Sequence, residues 1–182
     1  MDTSTEWEGK KLLGNVAENV VQFLIDSCPG WKCEKYGMEN HIDSLKKDIK
    51  NNYDETSLRI RTMPDFIAVN KEEKKVVLVD VKYRSFIDKT QPGKRLYQFH
   101  VGSIKDYLEY WKDVSLIVVH RKEPYFRVIH IKDIKWHLHL YDREKGLWDF
   151  LPIEKDIKDL FPGISEDSMQ KAIKNIPRYN EN

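Results

Sequence analysis

The spacing of apolar residues predicts helices and strands in turn along the chain. Near the N-terminus, apolar residues recur at helical spacing at Leu13, Val16, Val20, Phe23 and Leu24. Residues 97–112 repeat that spacing, with Ile104, Leu108 and Trp111 on one face. Apolar runs predict strands at residues 31–37, 114–120 and 125–131, and two more within 59–84. This order favours an α/β fold in which helices flank one mixed sheet.

The last part of the chain differs in character from the rest. Residues 134–153 read as a hairpin, and residues 165–176 predict a closing helix with Ser165 as its N-cap. We therefore expect a core at residues 1–133 and a C-terminal appendage of hairpin plus helix at residues 134–182, packed on that core.

Residues 64–82, PDFIAVNKEEKKVVLVDVK, predict an antiparallel hairpin centred between Glu72 and Glu73. This register places Ile67 opposite Leu78 and Asp65 opposite Asp80. Directly opposite residues share a face, with Cβ atoms about 4.5–5.5 Å apart. Lys82 lies two residues beyond Asp80 and shares its face. Two acids and a lysine therefore meet at one end of an otherwise apolar hairpin.

Two adjacent carboxylates repel each other, and burial raises the cost of ionising both. A divalent cation would resolve this conflict, because Mg²⁺ prefers hard oxygen ligands and often uses one or two carboxylates plus a phosphate. The neighbouring Lys82 could then hold or activate a water molecule and offset negative charge. The alternative is structural: an Asp–Lys ion pair at a solvated strand end, with Asp65 as a turn acid.

The motif Pro64-Asp65, fourteen intervening residues, then Asp80-Val81-Lys82 resembles the signature of the PD-(D/E)XK nuclease superfamily. That superfamily includes restriction endonucleases and Holliday-junction resolvases. The resemblance extends roughly over residues 9–130 and implies a restriction endonuclease-like αβββαβ core. Many members carry Glu where this chain has Asp80.

The resemblance also implies roles for individual residues. Asp65 and Asp80 would bind the metal, and the backbone carbonyl of Val81 would add a ligand. Lys82 would position or activate the attacking water. The acid that the superfamily carries on its first helix maps to Glu18, a further possible ligand; its alternative is an ordinary solvated helix glutamate. The cofactor would be Mg²⁺, with Mn²⁺ as a substitute.

The implied reaction is hydrolysis of DNA phosphodiester bonds, leaving 5′-phosphate and 3′-hydroxyl ends. The chain would act as an endonuclease in repair, recombination or restriction. One site cuts one strand, so double-strand or junction cleavage would need two copies, which favours a homodimer for such substrates. The competing interpretation is a catalytically inactive module on the same fold that binds nucleic acid or a protein.

Basic and aromatic residues near the motif are candidate nucleic-acid contacts. They are Arg59, Arg61, Tyr83, Arg84, Lys89, Lys94, Arg95 and Gln98. The alternatives are a solvated strand face for the first two and a solvated loop for the residues around Pro92. We expect Gln98 to begin the helix that follows this loop.

Composition and local sequence patterns limit the cellular location, the thiol state and the cofactors that we expect. The 182 residues carry a formal net charge of +1, so any basic surface must be local. The sequence has no apolar run of membrane-spanning length and no signal-peptide core, which predicts a cytoplasmic, nucleoid-associated protein. Cys28 and Cys33 are expected to be free thiols. No phosphate-cradling glycine loop is present, so we expect no nucleotide cofactor. His137 and His139 suit a partly exposed strand face better than a metal site.

Overall fold

The computed structural model describes residues 3–37, 43–84, 97–133, 140–142, 147–150 and 155–176. Its helices are α1 (Thr3–Asp26), α2 (Lys46–Asn51), α3 (Glu55–Arg61), α4 (Val101–Tyr110), α5 (Ile157–Leu160) and α6 (Glu166–Asn175). Its strands are β1 (Trp31–Lys35), β2 (Phe66–Asn70), β3 (Lys75–Tyr83), β4 (Tyr97–His100), β5 (Val114–Val119), β6 (Phe126–His130), β7 (Leu140–Asp142) and β8 (Leu147–Phe150). None of these helices is long and apolar enough to cross a membrane.

The strands form a five-stranded mixed sheet in the order β1-β2-β3-β5-β6 and a three-stranded sheet in the order β4-β8-β7. Only β3 and β5 run parallel among the paired strands described. All six residues of β5 are buried, as expected for a central strand covered on both faces. The mixed α/β architecture with helices flanking the sheet is thus confirmed.

The two faces of the larger sheet carry separate apolar clusters. On one face, Val79 and Val81 of β3 pack with α1 and α6. On the other face, Leu78 of β3 and Leu116 of β5 pack with Tyr107 of α4. Because successive strand residues point to opposite faces, Asp80 and Lys82 belong to the α4 face.

The C-terminal segment contributes to the larger cluster. Ser165 caps α6 as predicted, accepting a hydrogen bond from the backbone N–H of Ser168 at 3.1 Å. The buried residues Phe161, Met169 and Ala172 pack in the same cluster as α1. The closing helix is therefore part of the main hydrophobic core, and a division of the chain at residue 133 stays a prediction.

The hairpin register matches the sequence-based prediction. Phe66 pairs with Val79, and Ile67 pairs with Leu78. The side chain of Asn70 fixes the turn, since its Oδ1 accepts hydrogen bonds from the backbone N–H groups of Glu72 and Glu73, both at 3.0 Å. Both faces of this hairpin carry apolar residues, so burial alone does not exclude a one-residue slip. The turn held by Asn70 therefore contributes to specifying the register.

Two sequence-based predictions are wrong in detail. Gln98 does not begin a helix: residues 97–100 form β4, which pairs with β8, and the helix begins at Val101. Residues 59–61 are helical rather than extended, because Asp54 caps α3 by accepting a hydrogen bond from the backbone N–H of Ser57.

Other predictions have mixed outcomes. The strands at residues 31–35, 114–119 and 126–130 are confirmed. In the predicted C-terminal hairpin, β7 and β8 pair antiparallel, although β8 also pairs with β4. Both cysteines are free and buried. The candidates Lys89, Lys94, Arg95, His137 and His139 lie outside the described residues.

Candidate active site

Asp65 sits immediately before β2, where the hairpin continues past its last paired residues. Its Oδ2 accepts a hydrogen bond from the backbone N–H of Val81 at 2.7 Å, so the side chain reaches across to β3. Its backbone carbonyl accepts from the backbone N–H of Tyr36 at 2.8 Å, which ties it to the end of β1. In a strand the N–H and C=O of one residue point to the same side, so the Val81 carbonyl also faces Asp65.

Asp80 is the buried acid of the site, with only 2% of its surface exposed. Its Oδ1 accepts a hydrogen bond from the hydroxyl of Tyr107 at 2.5 Å. Its Oδ2 forms an ion pair with Nζ of Lys82, whose side chain is 26% exposed. This ammonium lies in direct contact with Oδ2 and compensates the negative charge of the buried carboxylate.

The environment makes Asp65 hard to ionise. Burial raises the pKa of its carboxyl to about 8, and the negative charge of Asp80 adds to the effect. Lys82 and the hydrogen bond from Val81 act in the opposite direction but do not cancel it. A carboxyl in this position gains from any additional positive charge. The repulsion expected between the two adjacent acids therefore appears as a raised pKa of Asp65.

The environment keeps Lys82 charged. Burial lowers the pKa of its ammonium, but the carboxylates of Asp80 and Asp65 outweigh burial and raise that pKa above its ordinary value. A lysine of this kind can stabilise negative charge on a neighbouring group. It is less suited to accept a proton from water, since it already carries one at neutral pH.

Glu18 approaches from the other face of the sheet. Its helix, α1, packs on the face that carries Val79 and Val81. Glu18 forms an ion pair with Lys35 at 3.8 Å, and its negative charge is a minor contribution to the raised pKa of Asp65. Glu18 therefore influences the site electrostatically, through the pKa of Asp65. Its role as a metal ligand stays a prediction.

Tyr83 and Arg84, the two described residues that follow Lys82 directly, are partly buried, and nucleic-acid contact stays a prediction for them. The side chain of Tyr83 packs against the larger cluster, and burial raises the pKa of its phenol. The backbone N–H of Arg84 donates to the carbonyl of Val119, which extends the pairing with β5 by one residue. Burial lowers the pKa of the Arg84 guanidinium, and Asp80 partly offsets this, so Arg84 feels the charge of the site.

Arg59 and Arg61 belong to α3, and the guanidinium of each lies over an aromatic ring from outside this helix. The guanidinium of Arg59 is 5.5 Å from the ring centroid of Trp111, and that of Arg61 is 5.1 Å from the ring centroid of Tyr53. The indole N–H of Trp111 also donates to the Arg59 carbonyl at 3.3 Å. These contacts hold Arg59 and Arg61 in place, six and four residues before Asp65, respectively. Nucleic-acid contact stays a prediction for both.

A metal ion would have limited support from protein side chains here. Within the described part of the chain, no three or more His, Cys, Asp or Glu side chains cluster so that they could hold a metal ion. Asp65, Asp80 and the carbonyl of Val81 nevertheless fit Mg²⁺, which commonly uses two carboxylates and completes its shell with water and phosphate. The raised pKa of Asp65 is the feature that a divalent cation would relieve.

Tyr107 is the site residue that the sequence-based interpretation missed. It lies on the predicted apolar face of α4, between Ile104 and Leu108 in the helical pattern. Its position in that pattern predicts burial, but nothing in the pattern indicates that its hydroxyl reaches Asp80. Burial and the adjacent Asp80 raise the pKa of this phenol well above its usual range, so it remains a hydrogen-bond donor.

Comparisons with known proteins are sparse. No protein-family model matches the chain, and no curated protein matches it. The structure is similar to the solved structure of a nuclease from a fusselovirus, with a TM-score of 0.40 and 14% sequence identity over 92% of each chain. A TM-score of 0.40 is too low to support a conclusion about fold or function, so the function proposed below rests on the geometry of the site.

Proposed function

We propose that this chain is a metal-dependent nuclease of the PD-(D/E)XK superfamily that hydrolyses DNA phosphodiester bonds. The observation that carries the proposal is the meeting of three groups just beyond the paired part of the hairpin: Asp65 accepts the backbone N–H of Val81, Asp80 forms an ion pair with Lys82, and the charge of Asp80 acts on Asp65. A buried pair of acids with a lysine serves stability poorly, because burial penalises both carboxylates. The same three groups suit a cation and a phosphate.

The order of elements also supports the proposal. A helix, three strands, a helix and a strand follow one another as α1, β1, β2, β3, α4 and β5. Short helices are inserted between β1 and β2, and β4, which belongs to the smaller sheet, is inserted between β3 and α4. This order agrees with the αβββαβ core that the motif implies. Asp65 immediately precedes β2, and Asp80 and Lys82 lie in the second half of β3, the middle strand of the larger sheet. Of these three residues, Lys82 has a side chain that is 26% exposed.

The roles follow from the geometry and charge of each group. A bound Mg²⁺ would supply Lewis acidity toward a phosphate oxygen and would acidify water. Asp65 and Asp80, with the Val81 carbonyl, would hold that ion. Lys82, kept protonated by the two acids, would offset the negative charge that grows on the phosphate in the transition state. Electrostatic stabilisation is therefore a better role for Lys82 than general-base catalysis.

Cleavage of DNA with and without Mg²⁺ or Mn²⁺ tests this function. The substrates should include duplex, single-stranded, flap and four-way junction DNA, because the site geometry does not select among them. Asp65→Asn should abolish cleavage, since it removes a charged ligand. Asp113→Asn is a matched control: Asp113 also precedes a strand, but it precedes β5 at the opposite end of the sheet, and its side chain is 82% exposed.

The outcomes separate an enzyme from a binding module. Metal-dependent cleavage by the wild type and by Asp113→Asn, but not by Asp65→Asn, would support the proposal. DNA binding without cleavage of any substrate, in protein that retains its fold, would favour a catalytically inactive module instead. Equal cleavage by Asp65→Asn and the wild type would indicate that the assigned site is wrong.

A further inference from the structure

Tyr107 connects the smaller apolar cluster to the candidate site. Its side chain is 6% exposed, and its ring packs with Val114, Leu116 and Val118 of β5. A ring enclosed in this way has few alternative rotamers, because a rotation would displace its close-packed neighbours. The position of its hydroxyl is therefore fixed by the core and not by the site.

The hydroxyl of Tyr107 divides the two oxygens of Asp80 between different partners. It donates to Oδ1 at 2.5 Å, while Oδ2 faces the ammonium of Lys82. Asp65 shows a related arrangement, since its Oδ2 accepts the backbone N–H of Val81 at 2.7 Å. In each acid one oxygen is thus held by a group that the fold has already positioned.

We infer that Tyr107 is a positioning residue that holds Asp80 through Oδ1, so that Oδ2 is the oxygen Asp80 presents to a divalent cation. This inference rests on the proposed function and extends it to α4, which lies outside the sequence motif. Hydrogen bonds of this kind orient a ligand, and their loss typically weakens metal binding about 10- to 100-fold.

Tyr107→Phe is the direct test, because it removes one oxygen and keeps the ring that packs in the core. Tyr110→Phe is the matched control: it makes the same chemical change on the same helix, and the Tyr110 hydroxyl lies beside Glu109 rather than beside Asp80. Binding of Mn²⁺ is measured by the electron paramagnetic resonance signal of the free ion, without DNA. Unfolding by urea in EDTA is measured in parallel.

The expected result is a Kd for Mn²⁺ about 10-fold or more weaker in Tyr107→Phe and unchanged in Tyr110→Phe. DNA cleavage by Tyr107→Phe should recover as the concentration of Mn²⁺ rises, since a misplaced ligand lowers occupancy before it alters the reaction. A purely structural role would lower the free energy of unfolding and leave the Kd for Mn²⁺ unchanged.

An unchanged Kd in folded Tyr107→Phe would overturn the inference and leave the proposed function standing. If neither the wild type nor Tyr110→Phe binds Mn²⁺ or cleaves DNA, the proposed function fails and the inference fails with it. Should Tyr107→Phe be too unstable in buffer alone, all three proteins are titrated in trimethylamine N-oxide, which favours the compact state. The comparison of the three Kd values then decides in the same way.

Discussion

Lowering the pH should weaken the binding of a divalent cation to this protein at pH values where an ordinary carboxylate is still fully ionised. The reason is Asp65, whose pKa burial and the neighbouring Asp80 raise to about 8. A metal ligand must be ionised, so the cation competes with the proton on this carboxyl. An unperturbed aspartate, with a pKa of about 3.9, would show no such competition near neutral pH.

The size of the effect follows from that pKa. A group with a pKa of about 8 is roughly three-quarters ionised at about pH 8.5 and about 3% ionised at about pH 6.5. The apparent Kd for Mg²⁺ or Mn²⁺ should therefore weaken about 25-fold between these two pH values, which corresponds to about 2 kcal/mol. Binding near the middle of this range should release about three-quarters of a proton for each cation bound.

Isothermal titration calorimetry measures both quantities, because the proton release appears as a dependence of the heat on the buffer. The wild type and Asp113→Asn should show the same dependence of Kd on pH. Asp65→Asn should bind weakly at every pH and release no proton. A Kd for the wild type that does not change across this range, or an equal dependence in Asp65→Asn, would refute the role assigned to Asp65.

The same carboxyl should affect stability in the absence of metal. Its folded-state pKa lies above its unfolded value, so its contribution to stability is full below about pH 4 and is lost as the pH rises toward about 8. The free energy of unfolding in EDTA should therefore fall across that window, and less steeply in Asp65→Asn. Urea unfolding at several pH values measures this, and added Mg²⁺ should restore stability at the upper end.

Three further predictions concern other parts of the molecule. Lys82→Met should lose cleavage in a DNA assay, because it removes the positive charge that would offset negative charge on the phosphate. Near wild-type cleavage would contradict the role of Lys82. Lys94→Ala combined with Arg95→Ala should lower the salt dependence of DNA affinity by about one unit for each phosphate that these two side chains neutralise, whereas an unchanged slope would place DNA elsewhere. Phe161→Ala should destabilise the whole protein by about 3–5 kcal/mol in urea unfolding. The reason is that its ring is fully buried against Trp31, with 4.8 Å between the ring centroids. A separate unfolding transition of the C-terminal segment would contradict a shared core.

Local sequence patterns were sufficient to predict the register of the hairpin formed by β2 and β3. Its two strands are apolar runs of similar length, which identifies them as paired strands. The polar segment between them is short, which limits where the turn can lie. The observed pairing of Ile67 with Leu78 agrees with the prediction. The ladder ends at Phe66 and Val79, so the direct pairing of Asp65 with Asp80 stays a prediction, although the charge of Asp80 raises the pKa of Asp65.

Features that depend on distant partners could not be predicted in this way. Residues 97–100 form a strand because β8, about fifty residues later in the chain, supplies a pairing edge. The bond from Tyr107 to Asp80 joins residues 27 positions apart and depends on how α4 packs on the sheet. The helix at Arg59 is a different case, since Asp54 and Ser57 carry a capping signal that the alternation of polar and apolar residues obscured.

The distribution of partners around the two acids argues for a cation in preference to a purely structural ion pair. Asp80 has both an ammonium and a hydroxyl, so its negative charge is compensated within the fold. Asp65 has one backbone N–H, and burial and Asp80 still raise its pKa to about 8. An asparagine at this position could accept the same hydrogen bond from Val81 without that electrostatic cost. An ionisable group here costs stability in the metal-free protein, and a divalent cation shared with Asp80 is the partner that would offset this cost.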